Sequence, residues 1–271
     1  ISIARILEGY NHEYKVIGTE IKNLWPAKNY FNKVYLVPKA QNDEYFFALK
    51  KILTNYENPL IIPTSEPELS FISNNYNRFK GLPLLINKPN IIKTFQDKYL
   101  TYKWLRKNNI PVATTYKIND LKKLNYPVII KPRKGSGGKN VFVIKNYNEL
   151  LFLTKYFNDD FIAQEYLKNQ NEEYTCAIFK DKNNNKSAIM KRKMKGDVTG
   201  EMFIDKNRKI KGILKLISNN INGSLFLNIQ LRIENDIPKI FEINPRLSST
   251  VRMRPLLGYQ DLIWSINNFY N

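Results

Sequence analysis

The sequence predicts a two-part α/β protein, with a parallel α/β unit over about the first 90 residues and a strand-richer α+β part after it. Three observations carry this. Short apolar runs alternate with helical patterns from residue 2 to residue 86. Strand-like runs dominate from residue 126 to residue 244. Residues 126–145, YPVIIKPRKGSGGKNVFVIK, read as two strands joined by a basic, glycine-rich loop, and the rest of the chain is organised around them.

Taken in order, residues 2–8 fit a short helix and residues 14–18 a strand. A unit that opens on a helix places its first strand and turn upstream of Ile1. Residues 33–37 form another strand, and residues 44–54 a helix with Phe46, Phe47, Leu49, Ile52 and Leu53 as its apolar positions. Residues 59–63, PLIIP, read as a strand closed by proline. Ser65 then caps a helix with Pro67 and Glu68 in its first turn, running on through residues 69–79. Residues 83–86 add a short strand, and residues 90–109 read as helices. Ile110-Pro111-Val112-Ala113 breaks that pattern and opens a small unit around the glycine loop. Its second helix is residues 147–157, and residues 161–167 form the strand that leaves it. Residues 172–179 and 187–190 are strands about a turn at 181–185. Further strands run through Leu231, residues 239–244 are the last clear strand, and residues 261–270 close the chain as a helix. The expected domains are 1–92 and 93–271, the second divided into a flap part, about 111–165, and a C-terminal part, about 166–271.

A chain of 271 residues can hold one large domain or two to three smaller ones with real cores. Hydrophobic content of 43% and aromatic content of 13% fit a packed globular protein. No apolar run approaches the roughly 18–20 residues of a membrane span, and no signal-peptide pattern opens the chain. A cytoplasmic protein with no membrane association is therefore expected. The chain opens at Ile1 rather than methionine, so a longer or processed natural N-terminus is expected. Cys176 and His12 are the single cysteine and histidine. That excludes an intrachain disulfide and Cys/His zinc sites, and argues against a His-based triad. A metal here is a hard cation on oxygen ligands, magnesium first. Lys and Arg number 43 against 24 Asp and Glu, a net charge of +19. Such a charge suits nucleic acid or an anionic membrane. However, the lysines are spread along the chain among Asn, Ile and Tyr, as an AT-rich coding sequence also produces, and nucleic-acid binding is the weaker reading.

In the loop, Gly135, Gly137 and Gly138 let the backbone turn its N–H groups toward one point. Lys131, Arg133, Lys134 and Lys139 make the ligand an anion, most simply a phosphate. It is not a Walker A loop, because Gly138-Lys139 is followed by Asn140 and position 133 is Arg. Nor is it the dinucleotide fingerprint, which needs a glycine at 140 and a helix after it. A second constellation is Phe241-Glu242-Ile243-Asn244-Pro245-Arg246. Glu242 and Asn244, two apart in a strand, face the same side, and Asn228 and Gln230 have the same parity on the preceding strand. Carboxylate and amide oxygens suit magnesium, and Arg246 suits a phosphate or an acyl phosphate.

The chain resembles the ATP-grasp family, and within it the carbamoyl-phosphate-synthase large-subunit type with a single synthetase unit. The residues that carry this are Asp97-Lys98, residues 128–132 with the loop, Gln164-Glu165-Tyr166-Leu167, Glu172-Glu173-Tyr174, Asn228-Ile229-Gln230 and residues 242–246, in order over residues 93–250. Residues 1–90 are similar to the family's preceding Rossmann-like domain. The resemblance implies an ATP-grasp fold and an ATP- and magnesium-dependent carboxylate–amine ligase acting through an acyl phosphate. Manganese is an allowed substitute for magnesium. It implies that Lys98, Lys131 and the loop Gly135, Ser136, Gly137 and Gly138 hold the ATP phosphates. Gln164, with the backbone of Glu165, Tyr166 and Leu167, would read adenine, and Glu173 would accept from the ribose. Glu242 and Asn244 would ligate the metal, with Gln230 where many relatives carry an acid, and Arg246 and Lys131 would serve catalysis. The acceptor pocket is expected at Lys193 and Lys195 and at Arg252 and Arg254, cationic segments that suit a small acidic carboxylate alongside an amine or similar nucleophile. A homodimer is admitted. Carbamoyl-phosphate synthase itself has two such units and far more chain, so an amide- or peptide-forming ligase is the expectation. A catalytically weak ATP-binding module and a basic nucleic-acid-binding protein are the alternatives.

Overall fold

The computed structural model describes residues 1–10, 14–23, 25–118, 124–135, 137–138, 140–153, 157–196 and 198–271. His12, Ser136 and Lys139 lie outside the described residues. The chain forms two compact units, Ile1–Pro89 with Arg246–Asn271, and Asn90–Pro245. The inner boundary falls close to the expected 92, but residues 246–271, expected in the second domain, group with the first.

In the first unit, helix α1 (Ser2–Glu8) buries Ala4, Ile6 and Leu7. Strands β1 (Ile17–Glu20) and β2 (Lys33–Leu36) pair in parallel, with Ile17 opposite Lys33. Helix α2 (Asp43–Leu53) turns Tyr45, Phe46 and Leu49 inward, where they pack with Ile72 and Phe79. Ser65 opens α3 (Glu66–Asn74) through a full capping box with Glu68, and α4 (Tyr76–Phe79) follows a break at Asn75. The strands expected over 59–63 and 83–86 shrink to one parallel bridge, Ile61 to Leu84. Pro59, Pro63 and Pro83 have no N–H to donate, so the ladder cannot lengthen on those positions.

In the second unit, the helical stretch divides into α5 (Pro89–Gln96) and α6 (Lys98–Lys107). Asp97 makes the break, its carboxylate accepting from the N–H groups of Tyr99 and Leu100 at 2.9 and 3.1 Å. Then come β3 (Thr115–Lys117), β4 (Val128–Pro132), β5 (Phe142–Ile144), α7 (Tyr147–Leu153) and β6 (Phe161–Glu165). The four strands form an antiparallel sheet in the order β3-β6-β4-β5. Val128, Ile130, Ile144, Leu150 and Ala163 make its core.

The chain continues through β7 (Glu173–Lys180), β8 (Asn185–Lys195), β9 (Val198–Ile204), α8 (Arg208–Asn219), β10 (Leu225–Glu234) and β11 (Ile237–Asn244). These strands form a second antiparallel sheet, ordered β11-β10-β7-β8-β9. Helix α8 corrects the expectation of strands throughout this region. Asn207 caps it, and Ile210, Ile213, Leu214 and Ile217 fall on one helical face and are buried. That face packs with Cys176, Ile178, Ile189, Ile229, Leu231 and Ile243 from one side of the sheet. Alternation then puts Glu173 and Thr175, Asn228, Gln230 and Arg232, and Glu242 and Asn244 on the opposite side.

Beyond β11 the chain rejoins the first unit. Single 3-10 turns at Ser249–Arg252 and Pro255–Leu257 lead to α9 (Asp261–Tyr270), which buries Leu262, Ile263 and Ile266. Tyr10 donates to Gln260 Oε1 at 3.0 Å, and the Tyr270 hydroxyl donates to the carbonyl of Asn58 at 2.7 Å. Among the described residues no helix is long and apolar enough to cross a membrane.

Candidate active site

Both sheets of the second unit contribute to one cavity of about 510 Å³, within the usual size range for a small-molecule site. On β4 the core takes Val128 and Ile130, so Ile129 and Lys131 turn to the cavity side with Gln164, which sits opposite Ile129. The glycine loop adds Lys134, Gly135, Gly137 and Gly138, and α6 adds Lys98. From the five-stranded sheet come Arg232, Phe241 and Glu242. A bulge between Gln230 and Leu231 sets Gln230 opposite Glu242 but Leu231 opposite Ile240. Phe241 is the unmatched residue, which is how two successive residues of β11 reach the cavity.

The cationic groups are held in place. Lys98 Nζ donates to the carbonyl of Gly135 at 2.8 Å, and its own N–H donates to Arg133 O at 2.9 Å. Arg133 pairs with Asp97 at 2.6 Å, which ties the cap of α6 to the loop. Gly135 and Gly137 have φ of 107° and 82°, values that L-residues rarely adopt. Lys131 is 7% exposed, and its Nζ lies 3.4 Å from Phe241 O. Burial pushes its ammonium pKa down to about 8, Glu242 opposes that, and Lys98 and Arg232 reinforce it. Gln164 Nε2 donates to Thr115 Oγ1 at 3.0 Å, and Leu167 lines the cavity beyond it.

The metal expectation divides. Register sets Asn228 opposite Asn244 and Gln230 opposite Glu242. Asn244 Nδ2 donates to Glu242 Oε1 at 3.0 Å, which leaves the amide oxygen and the carboxylate as a hard oxygen pair of the kind magnesium takes. Gln230 is different: its Oε1 accepts from Arg192 at 3.1 Å. Among the described residues no three of His, Cys, Asp or Glu gather as a metal-binding group. Of the three expected metal ligands, Glu242 and Asn244 are the two whose oxygens are not taken by an arginine in these contacts.

Several other expected residues stand elsewhere. Glu173, assigned to the ribose, is 3% exposed and is clamped by two arginines. Arg192 binds its Oε1 at 2.9 and 2.5 Å, and Arg232 binds its Oε2 at 2.7 and 2.5 Å. For Glu165 and Tyr166 the expectation concerns the backbone, which their side-chain contacts do not address: the Glu165 carboxylate accepts from Lys239 at 2.5 Å and from the N–H of Thr114 at 3.0 Å, and the Tyr166 hydroxyl accepts from Gln170 at 3.1 Å. Lys193 forms a surface pair with Glu201 at 3.1 Å, and Lys195 is exposed; neither lines the cavity. In the first unit, Arg252 is exposed, whereas Arg254 is buried against Asp261 and donates to Ser248 Oγ at 2.9 Å. Arg254 is therefore a core ion pair rather than a substrate cation. Arg246 also belongs to the first unit, its guanidinium 3.8 Å from Glu66. Sequence reasoning missed Arg232, although it continues the parity of Asn228 and Gln230.

Two antiparallel sheets stand about a lysine-lined cavity, with a glycine loop on one and a Glu-x-Asn strand on the other, an arrangement whose chemistry suits a phosphate-bearing ligand. A family model described as an ATP-grasp domain matches residues 95–250, and one described as a PylC-like N-terminal domain matches residues 2–85. The chain belongs to the ATP-grasp family. It is 33% identical over 94 residues to the uncharacterized protein MG011 homolog of Mycoplasma pneumoniae, covering 35% of this chain and 33% of that one. It is 26% identical over 183 residues to a glutathione synthetase of Buchnera aphidicola subsp. Baizongia pistaciae, covering 61% and 56%. The chain thus spans from a third to just over half of the length of these curated relatives. The solved L-amino acid ligase of Bacillus licheniformis shares the fold, with a TM-score of 0.74 at 16% identity over 98% of this chain and 70% of that one.

Proposed function

We propose that this chain is an ATP- and magnesium-dependent carboxylate–amine ligase. The observation that carries the reading is the cavity itself, where Lys98, Lys131 and Lys134 converge beside one carboxylate, Glu242. Three lysines against one carboxylate suit a polyphosphate, and the glycine loop supplies close backbone approach. Glu242 and Asn244 hold the divalent cation, and Gln164 and Leu167 face the base. When bound, ATP supplies the phosphoryl group that activates a carboxylate toward an amine, and the cation offsets its charge. Lys131, in a desolvated position, places its ammonium where electrostatic attraction to phosphate is little screened. Lys98, fastened to Gly135 O, makes loop position and phosphate binding depend on each other. A glutathione synthetase and an L-amino acid ligase among the similar proteins support joining an acid to an amine, and a small acidic carboxylate, in the cytoplasm, is the proposed substrate.

Thermal melting with and without Mg-ATP, beside Glu242→Ala, tests the reading. A magnesium-dependent stabilisation that the variant loses supports it, and carboxylate-dependent ADP release then identifies the acid. No nucleotide-dependent shift in the unaltered protein overturns it and leaves a shared fold alone.

A further inference from the structure

Resting on the nucleotide reading above, we propose that Arg232 is a positioning residue that sets the base selectivity of the cavity, with Glu173 holding its guanidinium in place. The segment from Gln164 to Leu167 leaves the four-stranded sheet and brings both of those residues to the cavity. It is tethered from the β10–β11 hairpin at two points, and a third contact holds Asn169 just beyond it. Arg232 Nη1 donates to the carbonyl of Leu167 at 2.7 Å. Lys239, the register partner of Arg232, pairs with Glu165, and Glu234 Oε2 accepts from the N–H of Asn169 at 3.1 Å. Only the first of these tethers also lines the cavity.

The consequence follows from hydrogen-bond inventory. Adenine and guanine differ in which ring positions donate and which accept, so a backbone segment can tell them apart only if its own donors and acceptors are fixed. Arg232 occupies one lone pair of the Leu167 carbonyl and fixes the direction of that carbonyl, which leaves it one lone pair in a set orientation for a base. The guanidinium cannot swing away, because its Nε and Nη2 both bind Glu173 Oε2, and Arg192 holds the other oxygen of that carboxylate. A bidentate arginine in such a clamp is a directional fixture, which a lysine would not reproduce.

The test uses the whole chain and compares ATP, GTP and inorganic tripolyphosphate binding in the unaltered protein and in Arg232→Met. The expected result is a loss of the ATP-over-GTP preference by about tenfold, the size of one charge-assisted hydrogen bond, with tripolyphosphate affinity changed less than about twofold. An equal loss for ATP and GTP, or a parallel loss of tripolyphosphate, overturns the proposal by making Arg232 a structural or a phosphate group. If Arg232→Met does not fold, Glu173→Gln loosens the same guanidinium and is read by the same ratio. Tripolyphosphate and nucleotide binding without any base preference in the unaltered protein also overturns it, while leaving the nucleotide reading intact. Absence of any nucleoside triphosphate binding is the separate failure of that reading.

Discussion

Lys131 shows how burial converts a residue's identity into a working pH. Desolvation, opposed by Glu242 and reinforced by Lys98 and Arg232, lowers its pKa from 10.5 to about 8. The folded protein therefore releases this proton before the unfolded chain does. The cost of burying the ammonium is full below about pH 8, and stability rises between about pH 8 and 10.5 as the lysine neutralises. Phosphate affinity runs the opposite way, because the charged form attracts it. ADP affinity is expected to fall as pH rises through about 8, and Lys131→Arg, which stays charged, to flatten that fall; isothermal titration across about pH 7 to 10 checks both. Arg254 and Asp261 pose the buried-charge problem in another form. Both are 1% exposed, and Arg254→Met leaves a buried carboxylate uncompensated, a loss of about 3–5 kcal/mol in urea unfolding at neutral pH. Burial already raises the Asp261 carboxyl while Arg254 opposes it, so removing Arg254 raises it further. A raised acid keeps its stability at low pH and loses it as pH rises, so the deficit of Arg254→Met is expected to shrink in acid. A deficit independent of pH would place the loss in packing rather than in charge.

The glycine loop is where element geometry and function meet. A Cβ at Gly135 or Gly137 would meet nothing within 4 Å, so space is not the constraint; φ of 107° and 82° is. Gly135→Ala is expected to cost about 1–3 kcal/mol of backbone strain if the loop keeps its shape. A surface loop relaxes instead, and relaxation withdraws the carbonyl that holds Lys98 Nζ. Melting of the nucleotide-free variant should therefore change little while ADP affinity drops several-fold, a split that calorimetry and binding read separately. This loop was legible because it depends on local chemistry, as did the Ser65–Glu68 capping box. The pairing of Asn228 and Gln230 with Asn244 and Glu242 was legible too, since a period of two carries across a hairpin. The bulge at Phe241 was not, because nothing in FEIN distinguishes a regular strand from one with an extra residue. Helix α8 was hidden by its isoleucines, which suit strands by propensity and helices by their spacing at 210, 213 and 217. The clamp on Glu173 depends on β7 lying between β8 and β10, an order that single residues do not encode.

At the scale of the whole molecule, the chain leaves its first unit at Pro89 and returns to it at Arg246. That return was not legible because the closing helix reads the same whichever unit it packs on. Contacts that tie it there include Tyr10 to Gln260, Tyr270 to the Asn58 carbonyl, Arg246 to Glu66, and the packing of the Ser249–Arg252 turn on α1. Among its described residues the first unit has a two-stranded parallel sheet and one further bridge, too little ladder to stand without packing partners. Residues 246–271 supply buried Leu247, Val251, Tyr259, Leu262, Ile263 and Ile266, and each such side chain contributes about 1.5–3 kcal/mol when fully buried. A small unit is stable by only about 5–15 kcal/mol in total, so their loss exceeds its margin. A chain ending at Pro245 should lose amide protection throughout residues 1–89, whereas β4, β7 and β10 in the second unit, with their own cores, keep theirs. Hydrogen exchange read by mass spectrometry separates the two outcomes. Persistent protection in α2 and α3 of the shortened chain would show that the cluster of Tyr45, Phe46, Ile72 and Phe79 suffices alone, and that the returning helix closes the unit without founding it.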